Sequence, residues 1–270
     1  MVIKQIFELD EYLRFCESFK ADSEYSDPHF AYSPDTLYSA FSRSDRSVYA
    51  VFDEDRIIGL FVLLILPEDS YAEMLIGFSR EEKAYCELIR MMKEKYAGFT
   101  MDFVFNPANQ AIKEVLVKNN ALFYPEQVRM VATAPSPYQS RHRVELLSEK
   151  YEEQYRAMHT GDTYWTAERV LSAKDRFKVY VALTGEEVVG YLDVTHCFPE
   201  NEPYDFKVKE SYENEMIEAD LLSYALEQNT PNRMMYLVDA DNEAEIGILE
   251  TVGFERVEGQ NCVPGTIGKL

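Results

Sequence analysis

The chain has 270 residues, of which 46% are hydrophobic and 13% aromatic. This length and composition predict one or two globular domains with their own cores and exclude a disordered chain. The formal charge is −21. Nucleic acids and anionic membranes are bound by basic surfaces, so neither is an expected partner, whereas a cationic amine is attracted. Plain solubility is the alternative reason for this charge.

The start of the sequence and its cysteines predict a cytoplasmic protein. Met1 leads into Gln5 and Glu8 without a basic start followed by an apolar run, so no signal peptide is expected. The longest apolar stretch, residues 57–66, is too short to span a bilayer. The cysteines show neither metal-ligand spacing nor the density of a disulfide framework, which favours a reducing compartment. They are Cys16, Cys86, Cys197 and Cys262.

Taken in order, the first half of the chain alternates between helical and strand patterns. Apolar residues recur at helical spacing between Phe7 and Phe19. Residues 47–52 and 57–66 predict a hairpin. A strand at 73–78 is followed by Ser79 and Glu82, whose spacing is that of a capping box opening the next helix. A strand at 99–105 and a helix at 109–119 follow.

The same order of elements returns at a constant shift of 131 positions. This shift separates Val48 from Val179, Gly59 from Gly190, and Phe123 from Phe254. A shift held over so many residues predicts a tandem duplication. We predict domains at 1–131 and 143–270, joined by a polar, proline-containing linker at 132–142. Each is predicted to be α/β (mixed α+β), with a twisted mixed sheet flanked by helices.

The most informative stretch of the second copy runs from Tyr204 to Leu226. Residues 204–209 alternate as a strand, and apolar residues recur at helical spacing from Ile217 onward. Ser211 is the predicted N-cap of this helix. A strand that leads directly into a helix turns the helix N-terminus toward the strand end, where an anion can bind.

This stretch resembles the strand–helix junction of the GNAT superfamily of N-acetyltransferases. Their pattern is Val-x-x-x-Tyr-Arg-Gly-x-Gly-x-Gly-x-x-Leu-Leu, whose backbone amides hold the pyrophosphate of acetyl-CoA. The residues that match it are Val208, Tyr212, Ile217, Leu221 and Leu222. The resemblance implies two tandem GNAT-like domains and acetyl-CoA as the cofactor. It also implies that backbone groups around Phe206 and Val208 hold the pantetheine arm. The residues implied to face the pyrophosphate are Glu213, Asn214, Glu215, Met216, Ile217 and Glu218.

The phosphate-facing residues depart from this pattern. Glu213 stands at the arginine position, and Asn214, Met216 and Glu218 stand at the glycine positions. A side chain obstructs a backbone that must approach a ligand closely. Each close pair of like charges at ~5 Å costs on the order of 3 kcal/mol, which opposes binding of a polyanion. Alternatively, these carboxylates complement the helix dipole in place of a ligand.

A second segment, residues 241–254, is similar to the family's Asn-x-x-Ala-x-x-x-Tyr-x-x-x-Gly-Phe. Asn242, Gly253 and Phe254 match, which implies that Asn242 lies beside the cofactor. Leu249 stands at the position of the tyrosine that protonates the departing thiolate, and it has no proton to give.

In the first copy, Arg80 could face a phosphate, and Lys83 and Tyr85 occupy positions that the family fills with small residues. The alternative for Arg80 and Lys83 is a solvated helix face.

An acetyltransferase needs a base that takes a proton from the incoming amine. The candidates are Asp193, Glu202 and Asp205, with His196 nearby, and Asp205 is preferred. A salt-bridged or solvent-facing carboxylate is the alternative for each. Tyr164 and Trp165 either line an acceptor pocket or pack in the core. The histidines show no metal-site spacing, so no metal is expected.

The resemblance favours an acyl-CoA-dependent N-acetyltransferase acting on a small or peptidic amine. The alternative is a non-catalytic binding or scaffolding protein that kept the fold and lost acetyl-CoA binding. A third possibility is that the site between the diverging strands holds a cationic ligand, for which acidic side chains are an advantage. The sequence does not predict the oligomeric state.

Overall fold

The computed structural model describes residues 1–159, 164–213 and 215–270. Residues up to 132 form β1 Val2–Ile6, α1 Leu13–Glu17, α2 Pro28–Tyr32, α3 Asp35–Ser39, β2 Arg46–Asp53, β3 Arg56–Leu66, β4 Tyr71–Phe78, α4 Glu82–Lys95, β5 Thr100–Phe105, α5 Gln110–Lys118, β6 Leu122–Phe123 and β7 Gln127–Ala132. The later residues form β8 Arg143–Leu146, α6 Glu152–Met158, α7 Ala167–Ser172, β9 Phe177–Thr184, β10 Glu187–Thr195, β11 Glu200–Asn201, β12 Pro203–Val208, α8 Ile217–Asn229, β13 Arg233–Asp239, α9 Glu243–Val252, β14 Glu255–Arg256 and β15 Val263–Ile267.

The chain divides into two compact units. Unit 1 contains Met1–Val128 and Glu258–Leu270, and unit 2 contains Arg129–Val257. In unit 1 a mixed sheet has the strand order β1-β2-β3-β4-β5-β15-β6. The predicted hairpin is confirmed as β2 and β3, and β4 runs parallel to β5.

The parallel strands of unit 1 separate before they end. Pairing between β4 and β5 runs from Tyr71 opposite Thr100 to Met74 opposite Phe103, whereas β4 itself continues to Phe78. The two strands therefore leave an opening beyond Met74.

Unit 2 contains two sheets, with the orders β12-β10-β9-β8 and β11-β13-β7-β14. The predicted second hairpin is confirmed as β9 and β10, which pair antiparallel. Helices α6 and α8 both contact β10. Unit 2 is thus also mixed α/β, as predicted.

The last strand of each sequence copy lies in the sheet formed by the other copy. The C-terminal strand β15 belongs to unit 1, where Gly265 pairs with Phe103 of β5. The strand β7 pairs in the sheet of unit 2, where Met130 is opposite Arg256. The compact units therefore differ from the domains predicted at 1–131 and 143–270. Spacing along the sequence identifies a strand but does not determine which sheet accepts it.

Two equivalent glycines support the duplicated architecture. Gly59 pairs with Val51 and Gly190 pairs with Ala182, so the sequence shift is also the shift in register. A Cβ on Gly59 would lie 2.8 Å from the Cβ of Ala84, and one on Gly190 would lie 2.8 Å from a methyl group of Ile217. In both copies, the missing side chain allows a helix to approach the hairpin closely.

Two of the predicted helix starts are wrong. Ser211 lies in a 3-10 turn at Glu210–Tyr212, and α8 begins at Ile217 with Met216 as its N-cap. Ser79 does not cap α4, because α4 begins at Glu82 with Glu81 in the N-cap position; the hydroxyl of Ser79 donates to the carbonyl of Ile58 at 2.7 Å and accepts from the N–H of Glu81 at 3.0 Å. In both cases a tertiary or local backbone interaction replaced the cap that the spacing suggested.

The cores follow the alternation of the strands. In unit 1, Leu60 and Phe61 are both fully buried, in separate clusters on the two faces of the sheet. In unit 2, Tyr155 and Tyr191 belong to a buried cluster between the sheet and α6. Among the described residues, no helix combines the length and apolar composition needed to cross a membrane.

Candidate functional site

The strands β12 and β13 of unit 2 diverge and leave an opening between them. The short strand β11 pairs in parallel with the start of β13. Beyond this point, among the described residues, β12 pairs only with β10, and Phe206 lies opposite Leu192. In the part of the chain that the structure describes, β12 is therefore the edge strand of its sheet. Phe206 and Val208, implied to hold the pantetheine arm, thus lie on a strand with one open edge.

We call this space the β12–β13 opening. The space in it that a sphere the size of a water molecule can enter is about 0 Å³. Ligand pockets of proteins usually measure about 300–1,000 Å³, so the opening is small. It is lined by Leu192, Phe206, Glu218, Leu221, Leu222 and Tyr236.

The backbone before α8 adopts a conformation that is typical of glycine, although the residue there is Met216. Met216 adopts a left-handed conformation with φ 60° and ψ 27°, and its side chain does not cap the helix. Glycine adopts this conformation without steric cost. The resemblance placed a glycine at Met216, so the turn is kept while a side chain has been added.

The acidic residues near this turn have different environments. Glu213 and Glu215 are exposed, and Nε2 of His142 lies 3.2 Å from a carboxylate oxygen of Glu215. Glu218 lines the β12–β13 opening, and its Oε1 has no hydrogen-bond partner among the described residues. Burial, together with the charge of Glu245, raises the pKa of Glu218 to about 7.

The remaining residues that the resemblance implies to lie near the cofactor either pack in the core, cap a helix or lie outside the described residues. Ile217 is buried. Asn214 lies outside the described residues. Asn242 caps α9, since its side-chain oxygen accepts a hydrogen bond from the N–H of Glu245 at 3.3 Å. Leu249 is fully buried and offers no proton.

A tyrosine that the sequence reasoning missed, Tyr236, places a hydroxyl at the β12–β13 opening. This hydroxyl donates to Glu245 at 2.7 Å. Burial raises the pKa of Tyr236 well above its ordinary value.

The preferred base, Asp205, belongs to a buried polar cluster of unit 2. Asp193 and Asp205 lie directly opposite each other on the antiparallel strands β10 and β12. Nε2 of His159 lies 3.1 Å from Oδ2 of Asp193 and 3.5 Å from Oδ2 of Asp205. Tyr155 donates to Asp193 at 2.9 Å, and Tyr191 donates to Asp205 at 2.8 Å. We call these five residues the His159 cluster.

Burial and charge combine within the His159 cluster. The side chain of Asp193 is fully buried and that of His159 is 2% exposed, whereas that of Asp205 is 15% exposed. Burial raises the pKa of Asp193, and the neighbouring charge of Asp205 adds to this effect. Ligand atoms of His159, Asp193 and Asp205 all lie within 4.8 Å of one another, which is close enough for one metal ion. The sequence predicted no metal site at the histidines. That prediction used only the spacing of residues along the chain, which does not show which distant residues meet in the fold.

Other predicted residues lie outside this cluster. A ring nitrogen of His196 lies 3.0 Å from the carbonyl oxygen of Lys174. Burial raises the pKa of Glu202, and its backbone pairs with Thr195. Tyr164 and Trp165 line an open groove on α7. The ring of Trp165 also packs edge-on against Phe177 at 4.8 Å, which is a core contact.

The basic residues considered in the first copy are engaged in ion pairs. Arg80 donates two hydrogen bonds to Asp22, at 3.0 and 2.7 Å, and its guanidinium lies over the ring of Phe19. Lys83 pairs with Asp53 and with Glu81. Their charges are therefore largely neutralised within unit 1.

The sequence contained a signal for the missed members of the His159 cluster. Tyr155 and His159 are four residues apart, which is the spacing of residues on one face of a helix. Tyr191 and Asp193 are two residues apart on a strand and share a face. Polar groups on one face of a strand as apolar as β10, together with a Tyr–His pair at helical spacing, indicate a buried polar network.

No protein-family model matches the chain. No curated protein matches it either. Solved structures are similar over most of its length. An acetyltransferase of the GNAT family from Colwellia psychrerythraea has 11% identity and a TM-score of 0.55, with 98% of this chain and 99% of that chain covered. A GCN5-related N-acetyltransferase from Sphaerobacter thermophilus has 10% identity and a TM-score of 0.61, with 86% and 84% covered.

A tandem GNAT protein from the clavulanic acid biosynthesis pathway has 12% identity and a TM-score of 0.60, with 98% of this chain and 97% of that chain covered. At such low identity the likeness shows the fold alone. The chain therefore has the fold of the GNAT acetyltransferases, as two tandem GNAT-like domains.

Proposed function

We propose that unit 2 binds a cationic ligand at the His159 cluster and does not use acetyl-CoA. The observation that carries this proposal is the direct opposition of Asp193 and Asp205 on neighbouring strands. Like charges in this position repel each other, and a bound cation removes the repulsion. The formal charge of −21 also attracts cations to the protein.

The residues at the β12–β13 opening do not fit acetyl-CoA. Glu218 places a carboxyl group with an unpartnered oxygen in this opening. Met216 adds a side chain at the turn, and Glu213 and Glu215 add negative charge where the pyrophosphate would bind. A polyanion beside these carboxylates is opposed by repulsion on the order of 3 kcal/mol for each close pair.

The expected ligand is a small or peptidic amine, because an ammonium group carries the required charge and donates hydrogen bonds. Asp205 is the accessible member of the cluster, with 15% of its side chain exposed. The predictions of a cytoplasmic location and of no nucleic-acid or membrane partner stay predictions.

A second candidate is an acyl-CoA-dependent N-acetyltransferase, which the open edge of β12 favours. Phe206 and Val208 lie on this edge, where the family holds its pantetheine arm. Similar solved structures are named as acetyltransferases. In this case Asp205 remains the expected proton acceptor.

Calorimetric titration of the full chain separates the two candidates. We expect a small primary amine to bind more weakly as salt increases, and its neutral alcohol analogue not to bind. Acetyl-CoA should show no binding up to millimolar concentration. Asp205→Asn should weaken amine binding about tenfold, whereas Glu213→Gln, an exposed carboxylate of the same unit, should not. Micromolar binding of acetyl-CoA would overturn the proposal in favour of the second candidate.

A further inference from the structure

We propose that His159, Asp193 and Asp205 bind a divalent metal ion, for which zinc is the best match. This proposal rests on the proposed function, because both require the His159 cluster to bind a cation; it places a metal ion where the proposed function places an ammonium group. It concerns a chemistry that the sequence did not suggest, since His159 directly follows α6 and the two aspartates lie on neighbouring strands.

The first argument is the spacing of the three ligand atoms. Zinc binds histidine nitrogen and carboxylate oxygen at about 2.0–2.2 Å, so ligand atoms around a tetrahedral ion lie roughly 3.3 Å apart. Nε2 of His159 is 3.1 Å from Oδ2 of Asp193 and 3.5 Å from Oδ2 of Asp205. The second distance is long for an N–H···O hydrogen bond but suits two ligands of one ion.

The second argument is charge. A neutral imidazole with two carboxylates carries −2, which a divalent ion balances. The described partners of Asp193 are the hydroxyl of Tyr155 and the ring of His159, and neither is a permanent cation. One N–H at Nε2 of His159 cannot donate a full hydrogen bond to both Asp193 and Asp205 at the same time. Taking two carboxylates out of water is costly, and a bound divalent ion offsets this cost.

The third argument is the support around the three ligands. The hydroxyl of Tyr155 donates to Asp193, and that of Tyr191 donates to Asp205. The ring of His159 stacks on Tyr191, with centroids 5.4 Å apart and planes inclined by 11°. Groups that orient the ligands in this way are typical of metal sites. Three protein ligands leave a fourth position of a tetrahedral ion for water or a bound molecule.

The test uses the full chain after treatment with a chelator, and zinc as the probe. We expect about one zinc ion to bind per chain in calorimetry, and cobalt to give the visible absorption of a tetrahedral site. Asp205→Asn and His159→Gln should each weaken zinc binding at least tenfold. Glu213→Gln should leave zinc binding unchanged, which excludes non-specific attraction to the acidic surface. Asp205 is partly exposed, so its amide variant is expected to fold even if substitutions of the buried ligands do not.

The outcomes also separate this proposal from the proposed function. If zinc fails to bind while an amine binds in a way that depends on Asp205, the metal proposal is overturned and the proposed function stands. If neither zinc nor amine binds, both are overturned. Zinc binding that is equally strong in the Asp205→Asn and His159→Gln variants would place the ion elsewhere and overturn the metal proposal.

Discussion

Oδ2 of Asp27 accepts a 2.8 Å hydrogen bond from the backbone N–H of Gly77, on the part of β4 that has separated from β5. At the end of β5, the side-chain amide of Asn106 donates to the carbonyl of Ser23 and to the hydroxyl of Ser26, both at 3.1 Å. The segment from Ser23 to Asp27 thus bridges the diverging strands. In unit 1, the opening between the diverging strands is occupied by the chain itself.

Replacing Asp27 by alanine should destabilise unit 1. The carboxylate also caps α2 by accepting from the N–H of Phe30 at 3.0 Å, so the variant leaves two N–H groups without their partner. We expect the free energy of unfolding to fall by about 2–4 kcal/mol in urea denaturation. Asp35→Ala, at an exposed position in the first turn of α3, is the control and should change it by less than about 1 kcal/mol. Equal effects of the two substitutions would contradict this role of Asp27.

The stability of unit 2 should depend on pH through Glu218. Its pKa is raised from 4.5 to about 7 in the folded protein, chiefly by burial. Stability from this group is present below pH 4.5 and is lost as the pH rises through about 7, because the folded state then holds a buried charge. Glu218→Leu removes this loss. The variant should therefore gain about 2 kcal/mol more at pH 8 than at pH 5.

Chemical denaturation at pH 5 and pH 8 measures this difference. Glu227→Leu is the matched control, because it makes the same change at an exposed position of α8. Its effect should be the same at both pH values. A gain from Glu218→Leu that does not vary with pH would show that the carboxyl is not buried in the ionised form.

The periodicity of apolar residues predicted much of the fold. It could not predict which distant segments of the chain contact each other. The hairpins and the strands around Asp205 follow from alternation of apolar residues, and the equivalence of Gly59 and Gly190 follows from a constant shift. Spacing named Asp193 and Asp205 as separate candidates but did not bring His159 to them, because this requires the register of β10 against β12 and the position of α6. The exchanged strands could not be predicted, since either sheet offers them equivalent backbone partners.

Restoring the family residues at the start of α8 should create binding of acetyl-CoA. The variant combines Glu213→Arg, Met216→Gly and Glu218→Gly. It removes negative charge and a side chain from the left-handed position, where glycine costs nothing sterically. Because each close like-charge pair costs on the order of 3 kcal/mol, we expect an affinity gain of at least about a hundredfold.

Calorimetric titration with acetyl-CoA compares this variant with the wild-type chain. A second variant with Glu213→Gln in place of Glu213→Arg separates the removal of negative charge from the added guanidinium. If neither variant gains affinity, then these side chains are not what prevents the cofactor from binding.

The predicted linker at 132–142 is held to α8 by one buried carboxylate, Asp220. Its Oδ1 accepts hydrogen bonds from the hydroxyl of Tyr138 at 2.9 Å and from the N–H of Arg141 at 3.1 Å. Its Oδ2 accepts from the N–H of His142 at 3.0 Å and lies 2.7 Å from Nδ1 of the same residue.

Asp220→Ala should therefore release this segment and lower the free energy of unfolding by about 2–4 kcal/mol, because buried donors lose their acceptor. Limited proteolysis should show faster cleavage between residues 133 and 142, since a peptide that leaves the helix surface becomes accessible to proteases. Glu227→Ala, an exposed change on the same helix, is the control for any general effect on α8. Unchanged cleavage of the Asp220→Ala variant would mean that other contacts, such as the hydrogen bond from the N–H of Ser136 to the carbonyl of Val252, are sufficient to hold the segment in place.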